Sequence, residues 1–216
     1  QWSPAQIYNF MKQHGDELRG VGVKLLVAEH SKFNHDFTDP LLNDAQVAAN
    51  IDCIGGHIYG GGLVEYDLVA QKGKEYWMTE HLLNKAWDDK TLKNPEALRT
   101  ENMAFAEEVN QCMKMGFNIY IWWYLRRFYS MLGDGDAGSV RSEVTTRGYF
   151  LSHFARYATG RTRIKASLPK GTSSEVSATA YEDSNGNISI IVVNSSANGI
   201  QNLKLTLPFE TARATK

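Results

Sequence analysis

Carboxylate, imidazole, indole and guanidinium side chains gather at the ends of four apolar stretches of this 216-residue sequence. The stretches end in Glu29-His30, His57-Ile58-Tyr59, Glu80-His81, and Trp123-Tyr124 followed by Arg126-Arg127. In parallel α/β folds, the ends of the strands meet at one rim, and active sites form there. Carboxylates bordered by exposed aromatic rings are the arrangement expected for carbohydrate, because the rings stack on sugar faces while the carboxylates act as nucleophile or acid.

Other kinds of site find little support in the sequence. GGHIYGGG (55–62) lacks the spacing of the dinucleotide-binding and P-loop motifs. His30, His57 and His81 show no HExxH-like spacing that would indicate a metal site. No elbow motif indicates a serine or cysteine nucleophile. We therefore expect neither a metal ion nor an organic cofactor.

The elements that must position these side chains alternate along the chain. Periodicity and capping residues predict helices over residues 4–19, 39–49, 63–72, 95–115 and 145–159. Near-continuous apolar runs predict strands over residues 21–30, 51–62, 74–81 and 117–129. Such runs indicate strands that are buried on both faces, as in a parallel sheet with crossover helices. The spacing fits four units of a (β/α)8 barrel, which takes about 250 residues for eight units; a small open doubly wound sheet is the alternative.

The pattern changes at residue 161, from where short strands alternate polar with apolar residues. These strands are RTRIKAS, EVSATAYED, NISIIVVNSS and QNLKLTLPF. Asn185-Gly186 is suited to the positive φ angles of a hairpin turn. We therefore expect a barrel region over residues 1–160 and part of an antiparallel β-module over residues 161–216.

Composition bounds the class of protein. The formal net charge is -1, which lacks the basic footprint of a nucleic-acid binder. No apolar run approaches the roughly 20 residues that span a bilayer. We expect a monomer with neither nucleic-acid nor membrane partners, and buried free thiols at Cys53 and Cys112. Because the chain opens directly on the helix cap Ser3-Pro4, we also expect that a preceding segment has been cut away.

Three motifs resemble glycoside hydrolase family 30, and specifically its xylanase and glucuronoxylanase branch. They are WMTEH (77–81), IGGHIYGGG (54–62) and IWWYLRRFY (121–129), and the likeness extends to TTRGYFLSHFARY (145–157). The resemblance implies the C-terminal half of a (β/α)8 TIM barrel followed by part of an antiparallel side β-domain. It also implies a retaining endo-β-1,4-xylanase that acts on xylan, specifically on 4-O-methylglucuronoxylan. Since xylan is extracellular, this activity implies a secreted protein.

The same resemblance assigns roles to individual residues. Glu80, at the end of the seventh barrel strand, becomes the nucleophile, and a donor such as Tyr59 would help to keep it ionised. Trp123 becomes the floor of the sugar site. The substrate-binding set is completed by His57, Tyr59, Tyr124, Arg127 and Tyr129. Of these, Arg127 and Tyr129 match residues that hold a glucuronate branch, which a guanidinium can grip with two parallel hydrogen bonds.

The second catalytic carboxylate is not found in the sequence. In the family, the acid/base glutamate follows an asparagine at the end of the fourth strand, which would lie before Gln1. Glu29 stands in a comparable place, but the resemblance gives it no such role. Two alternatives therefore stay open: another activity of the family, such as β-1,6-glucanase or β-glucosidase, and a non-catalytic carbohydrate-binding fragment.

Strand alternation predicts the direction of the side chains around the nucleophile. Met78 and Glu80 should point into the barrel, whereas Trp77 should point to the helices and belong to the core. On the last strand, Trp122 should pack inside while Trp123 faces the sugar. The polar, insertion-like loop over residues 84–96 is expected to shape specificity.

Overall fold

The computed structural model describes residues 2–197, 199–200 and 203–207. The helices are α1 (Pro4–Arg19), α2 (Asp39–Asn43), α3 (Ala45–Ala49), α4 (Asp67–Gln71), α5 (Pro95–Lys114) and α6 (Thr146–Tyr157). The strands are β1 (Leu26–His30), β2 (Cys53–His57), β3 (Glu75–His81), β4 (Trp87–Asp88), β5 (Thr91–Leu92), β6 (Ile119–Trp122), β7 (Thr162–Ile164), β8 (Val176–Glu182) and β9 (Ile188–Asn194). In the part of the chain that is described, no helix combines the length and apolarity needed to cross a membrane.

Strands β1, β2, β3 and β6 form one parallel sheet, in that order. Each of these strands after the first pairs with the sheet strand that precedes it along the chain. The strand order therefore lacks the reversal that defines a doubly wound sheet. Parallel strands added in chain order, with helices in the connections, are the arrangement of a (β/α)8 barrel. The predicted half barrel is confirmed, and the open doubly wound alternative is not supported.

A hydrophobic cluster holds the sheet against its helices. Its strand members are Val27, Ile54, Tyr76 and Met78, and its helix members include Met11, Leu41, Leu42, Val47, Val69 and Cys112. Burial of each large apolar side chain contributes about 1.5–3 kcal/mol. Because this cluster fixes the strands against a common layer of helices, the carboxyl ends of the strands come together at one rim.

A β-bulge in β3 decides which way its side chains point. Gly56 pairs with Met78 but His57 pairs with Glu80, so one step along β2 spans two steps along β3. Met78 lies fully buried in the helix-side cluster, and Trp77 is only half-buried on the opposite face. The prediction that Met78 faces the barrel and Trp77 the core was wrong, because strict alternation does not continue across a bulge.

Several predicted elements are shorter than their patterns indicated. Strand β1, expected from residue 21, begins at Leu26; β2, expected to reach residue 62, ends at His57; and the helix expected over residues 63–72 spans Asp67–Gln71. The helix expected over residues 39–49 is interrupted at Asp44, which adopts extended backbone and caps α3 by accepting hydrogen bonds from the Gln46 and Val47 backbone N–H groups. The strand expected over residues 117–129 ends at Trp122, and the chain continues as a loop. This loop contributes several of the candidate site residues.

Residues beyond α6 form an antiparallel sheet in the order β7-β8-β9. The predicted hairpin joins β8 to β9, and Gly186 supplies the positive φ angle of its turn (79°). The Asp183 carboxylate accepts hydrogen bonds from the Asn185 and Asn187 backbone N–H groups, which closes the turn. The strand predicted at QNLKLTLPF falls partly outside the described residues, and residues 203–207 within it are not in a strand.

Helix α5 connects the half barrel to the antiparallel sheet. Its residues Phe105 and Val109 pack in a second buried cluster with Tyr181, Ile191 and Val193 of β8 and β9. At the same contact, Asn110 donates to Ser177 Oγ and accepts from Thr179 Oγ1, each at 2.6 Å. Because these buried polar groups satisfy one another, the contact between α5 and the sheet is fixed in register.

Candidate active site

Glu80 lies at the carboxyl end of β3 with its side chain about a quarter exposed. Tyr59 Oη donates a hydrogen bond to Glu80 Oε1 over 3.1 Å. The Nδ1 atom of His57 lies 3.7 Å from the same oxygen. The structure therefore brings together three of the residues singled out in the sequence: Glu80, Tyr59 and His57.

Glu29 joins this group through His57. Its Oε2 lies 3.0 Å from His57 Nε2, so that the imidazole stands between two carboxylates. Ala28 and Glu29 both have positive φ angles, 83° and 45°, where the register between β1 and β2 shifts. Left-handed backbone costs roughly 1–2 kcal/mol at a residue other than glycine. That strained turn at the end of β1 places the Glu29 carboxylate beside His57.

The environment of Tyr59 keeps its hydroxyl protonated. Burial, together with the hydrogen bond to Glu80, raises the pKa of Tyr59 well above its usual value. Smaller contributions come from Tyr129 and Glu108. A phenol with a raised pKa remains a donor across the pH range of most enzymes, so Glu80 keeps this hydrogen bond.

Trp123 follows β6 directly and lies beside the end of β3. Its backbone N–H donates to the His81 carbonyl oxygen at 2.9 Å, and its side chain is 40% exposed. The Tyr124 ring, 43% exposed, lies 4.3 Å from the Trp123 ring between centroids, and a cis peptide bond joins the two residues. Trp122 is buried and packs against Phe105, in agreement with its predicted packing role. The two exposed rings form an aromatic surface next to Glu80.

Arg127 stands at the far end of this surface. Its guanidinium carbon lies 5.8 Å from the centroid of the Tyr124 ring, and its Nη1 lies 4.0 Å from Asp134 Oδ2. Its Nε is buried and has no hydrogen-bond partner among the described residues. The Tyr129 ring is buried, and a hydrogen bond with Arg127 partly offsets the rise that burial causes in the Tyr129 pKa. Tyr129 therefore supports Arg127 from within the protein.

Sequence reasoning missed two buried groups behind the site. Glu108 on α5 accepts hydrogen bonds from His81 and Tyr120. Arg147, at the start of α6, is 2% exposed; it forms an ion pair with Glu101 and donates to the carbonyl oxygens of Leu83 and Tyr129. Both depend on contacts between distant parts of the chain, and the local sequence around them resembles that of ordinary helices.

A metal site is not built by the side chains around Glu80. Across residues 2–197, 199–200 and 203–207, no group of three or more His, Cys, Asp or Glu side chains is arranged to hold a metal ion. The arrangement instead offers one accessible carboxylate, a phenol that donates to it, and exposed aromatic rings. That combination suits nucleophilic chemistry on a sugar.

Comparison with known proteins gives consistent results. The chain is 32% identical over 206 residues to the glucuronoxylanase XynC of Bacillus subtilis strain 168, a match that covers 92% of this chain and 44% of that protein. No protein-family model matches the chain. The chain thus spans less than half the length of this curated relative.

Two solved structures share the fold. The glycoside hydrolase family 30 subfamily 8 xylanase Xyn30A of Clostridium acetobutylicum superposes with a TM-score of 0.76 and 26% identity, over 95% of this chain and 50% of that one. A GH30 endoxylanase of Clostridium papyrosolvens C71 superposes with a TM-score of 0.70 and 30% identity, over 89% of this chain and 46% of that one. The chain is thus similar to xylanases of glycoside hydrolase family 30 over about half of the length of each of those proteins.

Proposed function

We propose that the protein is a retaining endo-β-1,4-xylanase that acts on 4-O-methylglucuronoxylan, with Glu80 as its nucleophile. The observation that carries this proposal is the position of Glu80: it is a partly exposed carboxylate at a barrel strand end, held by Tyr59, and the next residue, His81, is hydrogen-bonded to the backbone of Trp123. The relatives described above are named as xylanases, which supports the substrate class. Because xylan is extracellular, the proposal includes secretion of the protein.

In the proposed reaction, the Glu80 carboxylate attacks the anomeric carbon and the bond to the leaving oxygen breaks. A glycosyl-enzyme ester results, which water then hydrolyses with net retention of configuration. Tyr59 Oη donates to Glu80 Oε1 and so orients the carboxylate for attack. Trp123 offers a flat, exposed ring on which the sugar can stack.

Retaining chemistry also needs an acid/base carboxyl group about 5–5.5 Å from the nucleophile. Glu29, which contacts the same imidazole as Glu80, is an alternative within this chain, but its Oε2 is engaged with His57. We assign the acid/base role to a glutamate upstream of Gln1, where the family resemblance locates it. That group would protonate the leaving oxygen and later activate water.

The exposure of the Arg127 side chain supports a glucuronate contact. It is 41% exposed beside the Tyr124 ring, so an acceptor from the substrate can reach its guanidinium group. A carboxylate on the xylan branch is such an acceptor, and a guanidinium can hold it with two parallel hydrogen bonds. The adjacent aromatic surface of Trp123 and Tyr124 would carry the main chain.

Replacement of Arg127 by alanine tests the branch contact in the whole protein. We expect Arg127→Ala to lower kcat/KM on glucuronoxylan by about 10- to 100-fold, the range for a lost hydrogen bond to a charged group. The activity on unbranched xylan should change by less than about threefold. Arg126→Ala, on the exposed neighbouring arginine, is the matched control. Equal losses on the two substrates would contradict branch recognition.

Two alternatives have less support. A β-1,6-glucanase or β-glucosidase would use the same nucleophile, but the relatives with 30% identity or more are xylanases. A non-catalytic binding protein would use the same aromatic surface without needing a carboxylate held by a phenol. Hydrolysis of a panel of substrates by the whole protein distinguishes a xylanase from another glycosidase. Loss of hydrolysis in Glu80→Gln distinguishes an enzyme from a non-catalytic binding protein.

A further inference from the structure

A buried carboxylate lies directly behind the candidate nucleophile. Glu108 of α5 has a side chain that is 13% exposed. Its Oε1 lies 2.8 Å from His81 Nδ1 and accepts a hydrogen bond from Tyr120 Oη at 2.6 Å. One oxygen atom therefore ties β3, β6 and α5 together at the level of the site.

His81 is the residue through which this carboxylate reaches the site. It follows Glu80 in the chain, and its side chain is 10% exposed and turns toward α5. Its carbonyl oxygen accepts the hydrogen bond from the Trp123 backbone N–H. Its ring lies 4.8 Å, between centroids, from the ring of Tyr59. His81 is thus next to Glu80 in the chain, lies beside the Tyr59 ring and is hydrogen-bonded to the backbone of Trp123.

The contact with Glu108 assigns a donor atom of His81. A carboxylate oxygen only accepts hydrogen bonds, so His81 Nδ1, which contacts it, must carry a proton. The Tyr120 hydroxyl is the second donor to the same oxygen, and burial raises the pKa of Tyr120 well above its usual value. The Glu108 charge also reaches Tyr59, where it contributes to the raised pKa of that phenol.

We propose that Glu108 is a positioning residue of the active site, which acts through His81 to hold Glu80, Tyr59 and Trp123 in their relative places. This inference rests on the proposed function, in which Glu80 is the nucleophile. Glu108 does not reach the substrate; it holds the strand end behind the nucleophile. Adjacent strand residues point to opposite faces, so Glu80 meets Tyr59 while His81 meets Glu108 of α5.

A spectroscopic experiment tests whether Glu108 holds His81, without any assay of activity. The whole protein is labelled with 15N-histidine, and the ring nitrogens of His81 are identified by the signals lost in His81→Asn. We expect a proton on Nδ1 that is hydrogen-bonded to Glu108. Glu108→Gln, which keeps an acceptor oxygen, should preserve the Nδ1 signal, whereas Glu108→Ala should change it. An Nδ1 atom without a proton in the unmodified protein, or an unchanged spectrum in Glu108→Ala, would overturn the proposal.

Steady-state kinetics test whether the hydrogen bond between Glu108 and His81 positions the nucleophile. We expect Glu108→Ala to lower kcat on xylan by about 10- to 100-fold with KM changed less than about threefold, and Glu108→Gln to recover most of kcat. Glu107→Gln is the matched control, because its carboxylate faces Ser177 and Gln111 instead of the site. A loss expressed in KM alone, or an equal loss in Glu107→Gln, would overturn the positioning role.

The two experiments separate this inference from the proposed function. If the unmodified protein hydrolyses no xylan, the proposed function fails, while the histidine spectrum still decides whether Glu108 holds His81. If the protein is active and the spectrum of His81 does not respond to Glu108→Ala, the proposed function stands and the inference fails.

Discussion

At the scale of single residues, the surroundings of Glu80 are a phenol and two imidazole-bearing residues. Tyr59 gives it a hydrogen bond, His57 lies beside it, and His81 anchors the strand end from behind. The family resemblance predicted Glu80 and Tyr59 as site residues before the structure was considered. It did not predict that His57 stands between two carboxylates, because the partner Glu29 lies 28 residues away along the chain.

Removal of the Tyr59 hydroxyl should slow the reaction without weakening binding. We expect Tyr59→Phe to lower kcat by about 10- to 100-fold, because it removes a hydrogen bond to a charged group. KM should change little, and the measurement is steady-state kinetics on glucuronoxylan with the whole protein. Tyr149→Phe, on an exposed ring of α6, serves as the control. An unchanged kcat in Tyr59→Phe would contradict the orienting role.

At the scale of elements, Arg147 joins parts of the chain that no local pattern connects. It is paired with Glu101 of α5 and stacks 5.0 Å from the Trp122 ring centroid. Its Nη1 donates to the carbonyl oxygens of Leu83 and Tyr129. It therefore links the loop after β3 to the loop after β6, which carries the candidate substrate-binding residues. Burial lowers the pKa of Arg147, and the pair with Glu101 opposes that shift.

Loss of Arg147 should destabilise the protein strongly. Arg147→Met leaves Glu101 buried without its cation, and removal of one partner of a buried pair costs about 3–5 kcal/mol. The free energy of unfolding, measured by urea titration, gives this value directly. Arg147→Met combined with Glu101→Gln should recover part of it, and Arg156→Met, at an exposed position of α6, should cost less than about 0.5 kcal/mol. A loss below about 1 kcal/mol in Arg147→Met would contradict the linking role.

The sequence predicted the existence of the main elements better than their ends. Apolar runs predicted the four barrel strands, and periodicity with capping residues predicted the long helices. The same signal made the last strand too long: residues 123–129 are aromatic, yet they form a loop in which Trp123 and Tyr124 are exposed. Alternation failed at Met78 because a bulge leaves no mark in the residue pattern.

At the scale of the whole molecule, α5 belongs to both parts of the fold. Cys112 lies in the cluster behind the half barrel, whereas Phe105 and Val109 lie in the cluster shared with β8 and β9. The N-terminal helix α1 packs on the cluster behind the half barrel through Met11 and also forms two charged pairs, Lys12 with Asp44 and Arg19 with Asp52. Helix α1 is therefore held by apolar packing together with ion pairs, whereas α5 joins the two parts of the fold through apolar clusters.

The two ion pairs of α1 should make the stability of the protein sensitive to acid. The hydrogen bond from Lys12 lowers the pKa of Asp44, and that from Arg19 lowers the pKa of Asp52, from an ordinary value of 3.8. A carboxyl group with a lowered folded-state pKa contributes stability that is present above its unfolded value and is lost as the pH falls through the folded one. We therefore expect the midpoint temperature of thermal unfolding to fall steeply below about pH 4. Asp44→Asn combined with Asp52→Asn should flatten that dependence, and an equally steep fall in the double variant would contradict this assignment.

The most direct test of the account is to trap the glycosyl-enzyme intermediate. The whole protein is incubated with a 2-deoxy-2-fluoro xylobioside that carries a good leaving group, then digested, and the labelled peptide is sequenced by mass spectrometry. The account predicts one label, as an ester on Glu80 within EYWMTEH (75–81), and none in Glu80→Gln. A label on another carboxylate, such as Glu29, or hydrolysis that inverts the anomeric configuration, would contradict Glu80 as the nucleophile of a retaining enzyme.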